Sequence, residues 1–196
     1  GIVLYCRILS LTKRIEKRKT MAANATIYKA SLNIADMDRN YYAEHNFTLA
    51  KHPSETEFRL MIKLVAFMLN ADENLLFTKG ITQDDEPDLW QKALNGDIKL
   101  WIDLGQPDEK RIRKACGRSE RVIIYMYQEG SALAWWKQMQ STLGRFKNLS
   151  VRYLKVDGDI EVLANRTMDL QCNISDRELC IIEGDESITV NQEIWK

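Results

Sequence analysis

Residues 98–117 (IKLWIDLGQPDEKRIRKACG) hold the pattern that decides the fold of this chain. The first seven residues alternate as a strand does, and the Gly-Gln-Pro at 105–107 turns the chain. The proline suits the first position of a helix, acidic residues follow it in the first turn, and Gly117 stands beyond the predicted end. A strand that leads through a short turn into a helix is typical of an α/β sheet.

Upstream of this unit, the pattern predicts a hairpin and a helix. Residues 25–35 and 41–50 are strand-like and flank a turn-rich segment, which predicts an antiparallel hairpin at the edge of the domain. Ser54 and Glu57 have the spacing of a capping box, so we expect a helix to begin there. Its apolar residues recur at helical spacing and predict one buried face, made of Met61, Leu64, Val65 and Met68.

Downstream of residue 117, strands and a helix alternate. Residues 121–127 are nearly all apolar, as in a strand covered on both faces, and a helix over 131–146 and a strand over 149–156 follow. The tail at 165–196 carries short strand patterns that predict a small β element. We therefore expect an α/β fold with a mixed sheet, helices on both sides, an N-terminal hairpin and a small C-terminal β element.

Charge is distributed unevenly along the 196 residues, although the chain as a whole is neutral. Residues 1–20 hold six basic side chains and one acidic one, and the remainder is mildly acidic. We interpret 1–20 as a basic extension outside the fold and 21–196 as a single domain, with an amphipathic lipid anchor at 1–20 as the alternative. An acidic body exerts no general attraction on nucleic acid, so any such binding has to be local.

Cysteine usage and hydropathy indicate the compartment. The four cysteines form no CxxC pair and only two histidines are present, which argues against a zinc site and for reduced thiols. No apolar stretch reaches the length that spans a membrane. We expect a cytoplasmic monomer that does not bind membranes.

Three acidic residues form the group that is most suggestive of chemistry, because they are candidate metal ligands. Asp88 follows a proline at the start of a short strand, Asp103 ends the next strand, and Glu55 is predicted in the first turn of the preceding helix. Ends of neighbouring strands converge in an α/β sheet, so we expect these carboxylates to face one another. Oxygen ligands of this kind suit Mg²⁺ or Mn²⁺, which would relieve their repulsion. Acidic residues at such positions also serve as turn formers and helix-dipole partners, and this alternative stays open.

Several uncommon strings occur in order along the chain. They are His52-Pro53-Ser54-Glu55-Thr56 with Arg59; Asp84-Asp85-Glu86-Pro87-Asp88 with Trp90; residues 101–108 (WIDLGQPD); Arg111, Lys114 and Ala115; Trp135-Trp136; residues 148–151 (NLSV); and Arg166-Thr167-Met168. Together these strings resemble the YaeQ family, over essentially 22–196.

The resemblance implies a fold similar to the PD-(D/E)xK nucleases, which are metal-dependent phosphodiesterases. Such enzymes use an acid on the first helix, an aspartate after proline, and an acid-x-lysine on the next strand; here Glu55, Asp88 and Asp103 occupy the acidic positions. This chain departs from the pattern at the lysine, where Gly105 stands. Gln106 could orient a water there, and the resemblance points to Lys114 or Arg111 as the replacement cation.

Two functional hypotheses follow, and a third stays open. In the first, Glu55, Asp88 and Asp103 hold the metal of a nuclease or phosphodiesterase, and Lys114 stabilises developing charge. In the second, the same cleft binds nucleic acid or a protein without catalysis, through Arg59, Arg111 and Lys114. The third is a structural interaction protein that uses the exposed aromatic residues Trp90, Trp135 and Trp136.

Overall fold

A computed structural model describes residues 25–79 and 85–196, and these form one mixed sheet with three α-helices. The predictions for 1–20 and for Asp84 lie outside the described residues. The strands are β1 (Thr26–Asp36), β2 (Tyr41–Lys51), β3 (Leu75–Phe77), β4 (Leu89–Lys92), β5 (Ile98–Leu104), β6 (Ser119–Met126), β7 (Leu149–Asp157), β8 (Thr167–Ser175), β9 (Glu178–Glu183) and β10 (Glu186–Ile194). The helices are α1 (Glu57–Asn70), α2 (Glu109–Arg118) and α3 (Glu129–Leu143), with a short 3₁₀ helix at Ile160–Leu163.

The ten strands lie in the order β2-β1-β8-β9-β10-β7-β6-β5-β4-β3. The predicted hairpin of β1 and β2 is confirmed. The three strands predicted in the C-terminal tail are present. They do not form a small element of their own, because β8, β9 and β10 occupy the middle of the sheet. β8 pairs in parallel with β1, and β10 pairs antiparallel with β7. The tail therefore joins the hairpin to the α/β half, a long-range pairing that no local pattern announces.

The sheet curls around α1, which forms the centre of the larger core. Nine of the ten residues from 60 to 69 are buried, and Lys63 is the exception. The prediction of a single buried face was therefore too narrow, because strands surround this helix on most sides. The rings of Phe47 on β2 and Phe77 on β3 meet at a centroid distance of 5.0 Å, so the two edges of the sheet approach each other over the helix.

Helices α2 and α3 cover the outer face of β5, β6 and β7. They bury a second core that includes Trp101, Ile112, Ile124 and Ala132. The sheet therefore has helices on both faces, as predicted. Within the described part of the chain, no helix is long and apolar enough to cross a membrane.

The helix starts differ from the predictions by one or two residues. The cap of α1 is Thr56, whose hydroxyl accepts a hydrogen bond from the Arg59 amide at 3.1 Å. The predicted capping box is wrong, since the Ser54 hydroxyl instead bonds His52 Nδ1 at 2.6 Å. Glu55 consequently lies before the helix and not in its first turn. Competing polar side chains in one short segment explain the error, because both Ser and Thr are common cap residues.

At α2, Asp108 is the cap residue and accepts the Arg111 amide at 2.7 Å. Pro107 therefore precedes the cap, and Gly117 lies inside the helix and not beyond it. Helix α3 begins at Glu129, two residues earlier than predicted. These shifts leave the elements themselves as predicted.

A pH test follows from His45, which packs between the sheet edge and α1. Its ring meets Phe67 edge-on at 4.9 Å, and its Nε2 lies 2.7 Å from the Tyr41 hydroxyl. Burial lowers the pKa of His45 below 6.5, against a smaller opposing effect of Glu73 and Asp72. The unfolded chain then binds the proton more readily, so the free energy of unfolding falls as pH drops below about 6.5, by at most about 1.4 kcal/mol per pH unit.

We expect His45→Gln to flatten this fall in urea titrations between about pH 7 and pH 5. Glu44→Gln on the same strand is the control, because Glu44 is exposed and its replacement leaves the His45 ring in place. Equal slopes in wild type and His45→Gln would contradict the assignment.

Candidate functional site

Arg59 joins two of the predicted acidic residues on the inner side of the sheet. Its Nη1 donates to Glu55 Oε1 at 3.2 Å, and its Nη2 donates to Asp88 Oδ1 at 2.7 Å. Lys63, one turn further along α1, lies 2.7 Å from the same Glu55 oxygen. Glu55 and Asp88 are therefore brought together as predicted, with basic side chains in contact with both.

The backbone of β5 fixes Asp88 in this position. The Asp88 amide donates to the carbonyl of Ile102 at 3.0 Å, and Asp88 Oδ2 accepts the amide of Leu104 at 2.9 Å. Pro87 is buried beside it and makes the preceding residue extended. The aspartate thus bridges the start of β4, the end of β5 and α1.

Asp103 lies on the other face of β5. Side chains alternate across a strand, so Ile102 and Leu104 enter the inner core while Trp101 and Asp103 face α2. Arg111 of α2 binds both carboxylate oxygens of Asp103, each at 2.8 Å, and donates to the carbonyl of Glu86 at 2.8 Å. The structure therefore does not gather all three acids into one pocket: Asp103 is paired separately, across the strand.

The ion pairs form two groups. We call Glu55, Arg59, Lys63 and Asp88 the inner pair group, and Asp103 and Arg111 the outer pair group. The segment Glu86–Asp88 contacts both, through Asp88 and through the carbonyl of Glu86. The acidic side chains are the more buried members, with only 2%, 7% and 4% of Glu55, Asp88 and Asp103 exposed. The side chains of Arg59 and Arg111 are 20% and 27% exposed. The carboxylates are therefore less accessible to solvent than the arginine side chains that contact them.

Electrostatics keep Arg59 charged in this setting. Burial lowers its pKa, but Asp88, Tyr127 and Glu55 outweigh burial and raise the pKa above its ordinary value. Tyr127, at the carboxyl end of β6, hydrogen-bonds Arg59, and burial raises the pKa of its hydroxyl. Tyr127 is therefore a neutral donor and acceptor beside the fixed charge of the guanidinium.

Two further predicted site residues lie away from the acids. Lys114 forms an exposed ion pair with Asp85, so it is not placed on the carboxylates. Gln106 is exposed and donates through Nε2 to the Ser131 hydroxyl at 2.9 Å. The basic side chain that contacts Asp103 is that of Arg111.

The residues as arranged do not fit a ready-made divalent-metal site. Basic groups already contact Glu55 Oε1, Asp88 Oδ1 and both oxygens of Asp103. Across residues 25–79 and 85–196, no three His, Cys, Asp or Glu side chains are placed to hold a metal ion together. Binding one would require the arginines to move, so the metal site stays a prediction.

Sequence reasoning missed Lys63 and Tyr127. Lys63 had a detectable signal, because it is the one charged residue in the apolar run from 60 to 69 and lies one turn after Arg59. Tyr127 follows a buried strand and had no distinguishing pattern. Its contact with Arg59 is a tertiary one, made where the Tyr127 ring also lies 5.7 Å from the ring of Phe58 on α1.

The fold and this site define the class of protein. It is an α/β protein whose curled ten-stranded sheet encloses one helix. Buried acid–arginine pairs lie at the carboxyl ends of β5 and β6. The YaeQ protein family model matches residues 21–192, and the chain belongs to that family. It is 44% identical over 178 residues to "Uncharacterized protein YaeQ" of Escherichia coli K12, covering 90% of this chain and 98% of the relative. The Salmonella typhi protein of the same name is 44% identical over 179 residues, covering 90% of this chain and 98% of the relative.

Solved structures show the same architecture. The crystal structure of YaeQ from Xanthomonas axonopodis pv. citri superposes with a TM-score of 0.82 at 44% identity, covering 88% of this chain and 98% of that one. YaeQ from Pseudomonas syringae superposes with a TM-score of 0.80 at 32% identity, covering 88% of this chain and 96% of that one.

Proposed function

We propose that this chain is a nucleic-acid-binding member of the PD-(D/E)xK nuclease-like fold, in which the inner and outer pair groups hold phosphates without a metal. One observation carries the proposal: arginines cover the acids at the positions where such a nuclease would hold its metal. A guanidinium fixed by a buried carboxylate is an oriented donor for phosphate.

Donor capacity supports this proposal. A guanidinium offers five N–H donors, and Glu55, Asp88 and Tyr127 use three donors of Arg59 at most. The carboxylates cancel most of the local charge, so we expect weak affinity, in the range of roughly 10⁻⁴ to 10⁻⁶ M for phosphate-backbone contacts.

A metal-dependent phosphodiesterase is the second candidate. It is favoured by Glu55 and Asp88 contacting one guanidinium, since this places two carboxylates around a single small volume. A divalent ion in that volume would have to replace Arg59 and Lys63 as the partner of these oxygens.

A binding test separates the two candidates. Fluorescence anisotropy of a labelled oligonucleotide of roughly 12 nucleotides is measured with and without Mg²⁺. The double substitution Arg111→Gln with Asp103→Asn removes a charge pair while keeping polar side chains, so the fold should survive. We expect this variant to bind about tenfold more weakly and to lose about one unit of salt slope.

Arg113→Gln is the matched control, because Arg113 lies on the same helix in an exposed pair with Glu109. Absence of binding by the wild type at low salt would overturn the proposal, as would unchanged binding by the double variant. Cleavage of the probe that needs Mg²⁺ and disappears in Asp88→Asn would establish the second candidate instead.

A further inference from the structure

The two edges of the curled sheet leave a cleft beside the inner pair group. Phe47 and Phe77 meet where β2 and β3 come closest, and Phe67 of α1 supports Phe47 from below at 4.7 Å. Next to this contact, a cleft of about 690 Å³ lies between residues 48–50 of β2 and residues 76–79. In the described residues, β2 pairs with β1 and β3 with β4, so neither edge is paired across the cleft.

The floor of the cleft is apolar. Leu49, Leu60 and Phe77 line it, from β2, α1 and β3 respectively. Leu76, on the edge strand β3, lines the rim and is 56% exposed. Apolar floors of this kind accept flat, weakly hydrated groups, and the volume falls within the roughly 300–1,000 Å³ of small-molecule sites.

The charged residues of the cleft link it to the inner pair group. Lys63 and Lys79 line it together with His52, and the acidic members are Glu55 and Glu86. Glu55 already contacts Arg59 and Lys63, so its charge is offset. A ligand in the cleft therefore meets an apolar floor, the exposed Lys79, and Lys63, whose Nζ also contacts Glu55.

We infer that this cleft takes one unpaired nucleobase of a single-stranded nucleic acid, with its phosphate directed to Lys63 and Lys79. The inference rests on the proposed function and names its substrate class. A base pair in a stacked duplex cannot enter a cleft between two strand edges, whereas a base turned out of a single strand can. Apolar contact with the base gives sequence tolerance, and the lysines hold the backbone.

Two labelled probes test this inference on the full chain: an oligodeoxythymidine of roughly 12 nucleotides and the blunt duplex of the same length. We expect the single strand to bind at least about fivefold more tightly than the duplex, which is the effect of burying one base. A single strand in which every base is replaced by an abasic site should bind like the duplex.

Ala50→Trp is the matching variant, because Ala50 is exposed on β2 and lines the cleft, so a large side chain there obstructs its opening without entering the core. It should abolish the preference for the single strand and leave duplex binding unchanged. Tyr42→Trp, exposed on the same strand away from the cleft, is the control and should keep the preference.

The outcomes distinguish the two proposals. If neither probe binds, the proposed function fails and the inference falls with it. If both probes bind equally and Ala50→Trp changes nothing, the phosphate site stands and the base site is overturned. If a capped alternating Thr-Val hexapeptide shifts the amide resonances of residues 48–50 while the single strand does not, the cleft binds an added β-strand and the inference is also overturned.

Discussion

Arg59→Met should lower the free energy of unfolding by about 3 kcal/mol, measured by urea denaturation at neutral pH. The substitution keeps an apolar stem of similar length but removes the guanidinium that contacts Glu55 and Asp88. Both carboxylates are nearly inaccessible to solvent, and removing one partner of a buried ion pair leaves an uncompensated charge. Lys63 still contacts Glu55, so most of the loss comes from Asp88.

A second substitution in the same background tests this cause. Arg59→Met with Asp88→Asn should recover about half of the loss, because Asn removes the buried charge and its carbonyl can still accept the Leu104 amide. Arg113→Met is the control for losing an exposed pair and should change stability by no more than about 1 kcal/mol. A loss for Arg59→Met as small as that of the control would refute a structural role for the inner pair group.

Phe67→Ala should be comparably damaging, with a loss of about 3–5 kcal/mol. Phe67 is fully buried on α1 and its ring contacts His45, Phe47 and Phe77. Alanine would leave a cavity where the two sheet edges approach each other. We therefore also expect faster hydrogen exchange in β2 and β3 than in the central strands, since the edges lose their shared support.

Leu133→Ala provides the comparison for Phe67→Ala. Leu133 lies on α3 and is 45% exposed, so its truncation should change stability by only about 0.5 kcal/mol. Uniform acceleration of exchange across all strands in Phe67→Ala would mean that α1 supports the whole sheet and not its edges in particular.

Elements with strong local patterns were predictable from the residues alone. Ile98–Leu104 matches β5 at both ends, and the hairpin of β1 and β2 was placed within a residue or two. Alternation and turn residues act over a few positions, so they report on local structure faithfully. Helix caps were less certain, because Ser54 and Thr56 are both capable of capping the same helix start. The Ser54 hydroxyl instead bonds His52 within the preceding segment, and Thr56 is the cap.

The candidate site was half predictable. Proline before Asp88 and the strand end at Asp103 singled out two acidic residues that the structure buries in ion pairs. The sequence could not show that Arg59 and Arg111 would each contact one of them, since a guanidinium on a long side chain can lie in solvent or turn inward at little cost in local energy. The choice depends on how close the helices come to the sheet.

Local residue patterns established the α/β class, the family likeness and the acidic residues of the site. The tertiary structure decided that the C-terminal strands fill the middle of the sheet, that α1 is enclosed and that Asp103 faces away from Glu55 and Asp88. The physical reason is the range of the interactions. Strand and helix signals arise between neighbours in the chain, whereas the pairing of β1 with β8 joins segments more than a hundred residues apart. The ion pairs join different elements, so they form only when those elements pack together.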